Sequence, residues 1–169
     1  MADPPSFDAA LAPLEYTGAA RYLLTRFKFH GGLAHGVPLV RLMIELALAR
    51  PVSERPEALL PVPIHAHRLR ERGFNQALEL ARPVARALGI PLLSDALARK
   101  RSTPPQMSLS ESARRANVRG AFELRAIVPA RVALVDDVLT TGATAAELAR
   151  VLKRHGCERV EIWCACRSI

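Results

Sequence analysis

Two adjacent carboxylates, Asp136 and Asp137, follow the apolar run Val132, Ala133, Leu134 and Val135, and stand just ahead of Thr140, Thr141, Gly142, Ala143 and Thr144. So short an apolar run suits a strand buried on both faces, which puts the carboxylates where that strand should end. The hydroxyl-rich turn then opens into a helix, whose free N–H groups and dipole favour an anion. Adjacent carboxylates match the vicinal hydroxyls of a ribose, and a 5′-phosphate one sugar away matches the N–H groups and threonine hydroxyls of the turn. The plainer alternatives are a capped turn or a structural cation site.

A second set of polar residues is basic. Arg68, Arg70 and Arg72 recur at every second position after an apolar run that ends in Pro61, Val62 and Pro63. The forked guanidinium matches phosphate oxygens in a way an ammonium does not, so residues 65–73 read as a phosphate-facing loop, or else as a plain surface turn. His65 and His67 alone make no metal site. The formal charge is +8, and residues 65–119 hold eleven Lys/Arg against four Asp/Glu, a net +7. Charge concentrated in this way implies a polyanion: the phosphates of a nucleotide-like ligand, pyrophosphate, or nucleic acid. A solvated basic surface is the bland alternative. The basic, proline-containing segment 99–106 should be exposed, and mobile until a ligand orders it.

The elements that must carry these groups follow from spacing. The chain has 169 residues, half of them apolar, which is enough for one domain with a real core. Strand-like and helix-like segments alternate, as in a layered α/β domain. Residues 1–15 read as a loose lead-in. Helices are predicted over 16–29 and 33–50, the second with Pro38 in its first turn, and together they form a helical cap or a pair of partner-binding helices. Strands are predicted at 58–63, 92–97, from 120, at 132–135 and at 160–166, with a helix over 74–88 kinked at Pro83 and a short one near 110–118. Thr144 and Glu147 fit a capping box, and Gly156 suits a left-handed helix terminator. Cys157, Cys164 and Cys166 show no zinc spacing and read as buried, reduced thiols, with Cys164 and Cys166 on one side of a strand. No leader-like segment opens the chain, and Arg41 and Glu45 break its longest apolar run, so no membrane association and a cytoplasmic location are expected.

Residues 135–144 resemble the phosphoribosyl-pyrophosphate binding motif of type I phosphoribosyltransferases. The flanking stretches 27–29, 61–77 and 101–122 resemble the ComF-like competence branch of that family, and the likeness runs from about residue 16 onward. It implies a type I phosphoribosyltransferase fold: one α/β domain over 16–169, a mainly parallel central sheet flanked by helices, and the N-terminal helical cap at about 16–50. It implies that Asp136 and Asp137 are catalytic and face the ribose hydroxyls directly or through Mg²⁺, the cofactor. Thr140, Thr141, Gly142, Ala143 and Thr144 would cradle the 5′-phosphate. Ile64, His65 and Arg68 would sit at the pyrophosphate, and Arg101, Thr103, Gln106 and Arg114 would belong to a flexible loop over the site.

Two departures are informative. Many purine-salvage relatives carry an acidic base where this chain has Thr140, which disfavours hypoxanthine or guanine as acceptor. ComF-like proteins commonly open with a Cys-rich zinc ribbon, and no cysteine precedes Cys157. A base-reading hood is expected mainly from residues 1–50. The expected function is Mg²⁺-dependent binding of phosphoribosyl pyrophosphate, or another ribose 5-phosphate ligand, with transfer of the phosphoribosyl group to an acceptor. The alternative is a non-catalytic accessory protein in DNA uptake or recombination, binding single-stranded DNA or a helicase-like partner. Phe74 in the basic stretch and Phe122 just beyond it are the only aromatic residues there, which counts against DNA stacking.

Overall fold

The computed structural model describes residues 6–28, 32–101 and 116–168. In chain order its elements are β1 (Ala9–Leu11), β2 (Leu14–Glu15), α1 (Gly18–Lys28), α2 (Gly36–Leu48), β3 (Ala58–Pro61), α3 (Ala66–Arg72), α4 (Gln76–Leu88), β4 (Leu97–Arg99), β5 (Phe122–Leu124), β6 (Arg131–Leu139), α5 (Ala143–Arg154) and β7 (Arg159–Arg167). The main sheet has the order β1-β7-β6-β3, with β2 also on β7, and every pairing in it is parallel. β4 and β5 form a separate antiparallel pair. This is a single mixed α/β domain with a mainly parallel central sheet between helices.

Parallel strands covered on both faces need apolar side chains at consecutive positions, and β6 supplies Val132–Val135, all buried. Alternation then divides them between two layers. Val132 and Leu134 pack with Leu60 and Ile162 against Leu148 and Leu152 of α5. Ala133 and Val135 pack with Leu59 and Trp163 against α1, α2 and α4, through Leu24, Leu39 and Leu80. Each fully buried large side chain of this kind contributes roughly 1.5–3 kcal/mol. Close approach matters twice: a Cβ on Gly32 would collide with the Arg26 carbonyl oxygen, and one on Gly36 would lie 2.7 Å from Cε2 of Phe27, so glycine lets α2 start against α1.

Several expectations need correction. Residues 9–11 and 14–15 are not a loose lead-in but edge strands on β7. Backbone pairing holds them, helped by Asp8, whose carboxylate accepts from Val160 N at 2.8 Å and meets Lys153 Nζ at 2.7 Å. Of the strand expected over 92–97, only a single bridge from Leu92 to Leu59 and the start of β4 are present. Residues 66–72 form a helix rather than a loop, capped by the His65 ring, which accepts from His67 N at 3.2 Å. Thr144 is not the N-cap of α5. Gly142 is, in a left-handed conformation at φ 73°, and Glu147 bonds Gly120 N at 2.8 Å instead of closing a capping box. Cys164 and Cys166 join opposite core layers, although all three cysteines are buried and free.

The cap over 16–50 consists of α1, a 3₁₀ turn at Leu33–His35 and α2. Pro38 lies in the first turn of α2, where its missing N–H costs little, and α4 continues through Pro83. Among the described residues no helix is long and apolar enough to cross a membrane.

Candidate functional site

β6 does not stop at Val135; it runs to Leu139, still paired with β7, so the two carboxylates belong to the last part of the strand itself. This is the carboxyl end of the parallel sheet, the end on which open α/β sheets hold ligands. A cleft of about 850 Å³ opens there. Asp136, Asp137 and the turn Thr140–Thr144 line it, together with Val62, Pro63 and Ile64 after β3.

The carboxylates differ. Asp136 accepts a hydrogen bond from Asp137 N at 2.8 Å, and Asp137 meets Lys28 Nζ of α1 at 2.8 Å. Burial pushes the Asp136 carboxyl up to about 7, and the neighbouring Asp137 charge adds to the rise. The Asp137 N–H, Lys28 and Arg99 oppose it. Arg99, on β4, lies 5.4 Å from the Phe122 ring centroid, and burial, with the nearby Arg68 charge, lowers its pKa.

Beyond the carboxylates the chain turns sharply. Gly142 takes the positive φ that other residues resist, while a Cβ there would make ordinary contacts at 3.4 Å or more, so backbone conformation and not space selects glycine. No side chain caps α5, and its first-turn N–H groups have no acceptor within the helix. Thr140, Thr141 and Thr144 add hydroxyls around them. The arrangement is a neutral anion cradle beside two acids.

The basic wall obeys helix spacing. Arg68 and Arg72, four apart on α3, both line the cleft, whereas Arg70 lies away from it. Ile64 lines it too, but His65 does not, because its ring caps α3. Arg101 is also outside; it donates to Arg119 O at 2.5 Å. Thr103, Gln106 and Arg114 fall outside the described residues.

Sequence reading missed five contributors. Arg21, Thr25 and Lys28 line the cleft from α1, a spacing of four and three that puts them on one helix face. Arg99 arrives from β4, for which no local signal exists. Gln76 is 5 % exposed, lines the cleft, and has no partner for its Nε2 among the described residues.

The family model for the phosphoribosyl transferase domain matches residues 75–168. The DNA utilization protein YhgH of Salmonella typhimurium is 35 % identical over 98 % of this chain and 75 % of its own. Competence protein F of Haemophilus influenzae is 35 % identical over 97 % of this chain and 75 % of its own. The chain is a ComF-like member of the phosphoribosyl transferase domain family. Among solved structures, an orotate phosphoribosyltransferase from Aeropyrum pernix matches this ComF-like domain with a TM-score of 0.48 and 18 % identity, over 86 % of this chain and 80 % of that one.

Among the described residues of the ComF-like domain no three His, Cys, Asp or Glu groups converge on one point. The adjacent pair Asp136 and Asp137 therefore offers two hard oxygen donors and no complete cage. That suits Mg²⁺, which is usually held by one or two carboxylates together with substrate phosphates.

Proposed function

We propose that this domain binds phosphoribosyl pyrophosphate with Mg²⁺ and transfers the phosphoribosyl group to an acceptor in the cytoplasm. The observation that carries the proposal is the uncapped first turn of α5 directly beyond Asp136 and Asp137, on the wall of one cleft. In this reading the N–H groups and hydroxyls of residues 140–144 hold the 5′-phosphate. Asp136 and Asp137 accept from the ribose hydroxyls. Ile64 and Arg68, with Arg99 beside Arg68, hold the pyrophosphate.

The reaction breaks the bond between the anomeric carbon and a pyrophosphate oxygen, and the electron pair leaves with pyrophosphate. A lone pair of the acceptor forms the new bond, and a proton on the attacking atom, if there is one, passes to pyrophosphate or water. Bound Mg²⁺ would neutralise charge on the polyphosphate, held by Asp136 and Asp137 directly or through water. The arginines stabilise the same developing charge from the opposite side, and the cleft walls keep water from the sugar cation. Thr140 supplies no base at neutral pH, which disfavours hypoxanthine or guanine.

Calorimetry with phosphoribosyl pyrophosphate in Mg²⁺ is the direct test. Asp136→Asn and Asp137→Asn are each expected to weaken binding by about 100-fold, because each removes a charge-assisted acceptor from a partly buried site. Undiminished affinity in both variants overturns the proposal. Pyrophosphate release across a panel of acceptors then reads transfer.

A second reading draws on the names of the relatives, a DNA utilization protein and a competence protein. Arg70 and Arg86 are exposed outside the cleft, as is Arg82 beside Glu79 at 3.7 Å, and could meet a nucleic acid backbone or an acidic partner such as a helicase-like protein. A salt titration of single-stranded DNA binding tests it: a steep log–log slope supports DNA contact, and no binding at low salt removes it.

A further inference from the structure

Resting on the phosphoribosyl-transfer reading, we infer that α1 forms the acceptor wall of the cleft and that the acceptor is a planar ring bearing a carboxylate. α1 follows directly from β2, which pairs with β7 at Cys166 and Arg167, at the strand's carboxyl end. At its other end Phe27 meets Phe74 edge to face at 5.9 Å, next to α4. The helix thus crosses the carboxyl end of the sheet, over the carboxylates that the transfer reading assigns to the ribose.

Tyr16, Arg21, Thr25 and Lys28 line the cleft along this crossing. From Arg21 to Lys28 the rise is about 10 Å, the scale of a substituted aromatic ring. Tyr16 adds an aromatic surface. The remaining groups are mostly donors. Arginine and lysine have no acceptor atoms, and the hydroxyl hydrogen of Thr25 is committed to Arg21 O at 2.8 Å, leaving only its lone pairs. The carboxylates that line the cleft, Glu71, Asp136 and Asp137, all come from α3 and β6, none from α1.

The two cations of this wall differ in what they already hold. Lys28 is on Asp137 at 2.8 Å. Arg21 is exposed and makes no ion pair among the described residues. A purine such as guanine could offer O6 and N7 to this guanidinium, but the N–H donors beside them would find few acceptors on this wall. A ring carboxylate satisfies the guanidinium with two parallel N–H···O bonds. The arginines on the α3 and β4 side remain for the pyrophosphate, so the cleft keeps one cationic wall for the leaving group and one for the acceptor.

Two product-like nucleotides that differ in one group provide the test. Nicotinate mononucleotide carries a ring carboxylate where nicotinamide mononucleotide carries an amide; both keep the ribose 5-phosphate. By calorimetry the carboxylate form should bind the wild-type chain at least about tenfold more tightly, the ratio should fall toward one in Arg21→Ala, and Arg21→Lys should retain part of it. Equal affinities in the wild type, or a ratio that Arg21→Ala leaves intact, overturn the assignment of α1 while the ribose-phosphate site stands. Failure of both nucleotides to bind overturns the ribose-phosphate reading and this inference together.

Discussion

Two helices begin at the cleft, and they begin differently. α4 is closed by its own sequence: Asn75 Oδ1 accepts from Ala77 N at 3.0 Å, and Asn75 Nδ2 donates to Val62 O at 3.1 Å. α5 is left open: Gly142 has no side chain to turn back, and no other side chain caps the helix. The same backbone need is met inside the protein in one case and left for a ligand in the other. A capped helix start is a stabilising device, while an uncapped one lined by hydroxyls is a recognition device.

The contrast breaks most visibly at Gly142. Gly142→Asp places a carboxylate at the open end and should reduce affinity for ribose 5-phosphate by about 100-fold, measured by calorimetry, through charge repulsion and the cost of a side chain at positive φ. Caps give the next effect. Asn75→Ala should destabilise the domain by about 1–2 kcal/mol in urea unfolding, losing a cap and the bond to Val62, whereas Thr144→Ala should change stability by less than about 0.5 kcal/mol, since Thr144 is not the cap. Equal losses in the two variants would erase the distinction.

The smallest effect concerns pH. The Asp136 carboxyl has its pKa raised from the usual carboxylate value to about 7 by burial and by Asp137. A raised folded-state value gives stability that is fully present below pH 4 and lost as pH rises through 7. Asp136→Asn should therefore match the wild type near pH 3.5 and be more stable by about 1 kcal/mol near pH 8.5, a figure kept small because the open cleft screens the charge. Urea midpoints at the two pH values check it, and a variant equally stable relative to wild type at both would contradict the strained-carboxylate picture. Ligand binding by the same variant moves the opposite way, as expected where a site stores unfavourable charge for function.

The central layer was legible because its signals are local. Val132–Val135 and the last strand are short apolar runs, the turn chemistry at residues 140–144 is written in consecutive positions, and α5 shows its buried face through Leu148 and Leu152. Where pairing uses only backbone, as at residues 9–11, side chains carried no cue and three prolines in the lead-in pointed the wrong way. Arg68, Arg70 and Arg72 misled for another reason: alternation in a polar run says nothing about burial, and a seven-residue helix puts Arg68 and Arg72 together and Arg70 apart. The cleft groups from α1 and β4 were hidden because tertiary packing alone brings Lys28 and Arg99 to Asp136 and Asp137.

The edge strands have a consequence for self-association. A parallel sheet with a bare outer strand invites another chain to add to it. β1 and β2 cover β7 at residues 161–163 and 166–167, and at three and two residues they are too short to serve as templates themselves. On the far side Leu59 of β3 already exchanges bonds with Pro91 O and Leu93 N, each at 2.9 Å, and Pro61 has no N–H to offer. Both margins of the sheet are thus closed to strand-by-strand growth, which leaves a basic, half-apolar chain free to display its cleft without polymerising through its own backbone.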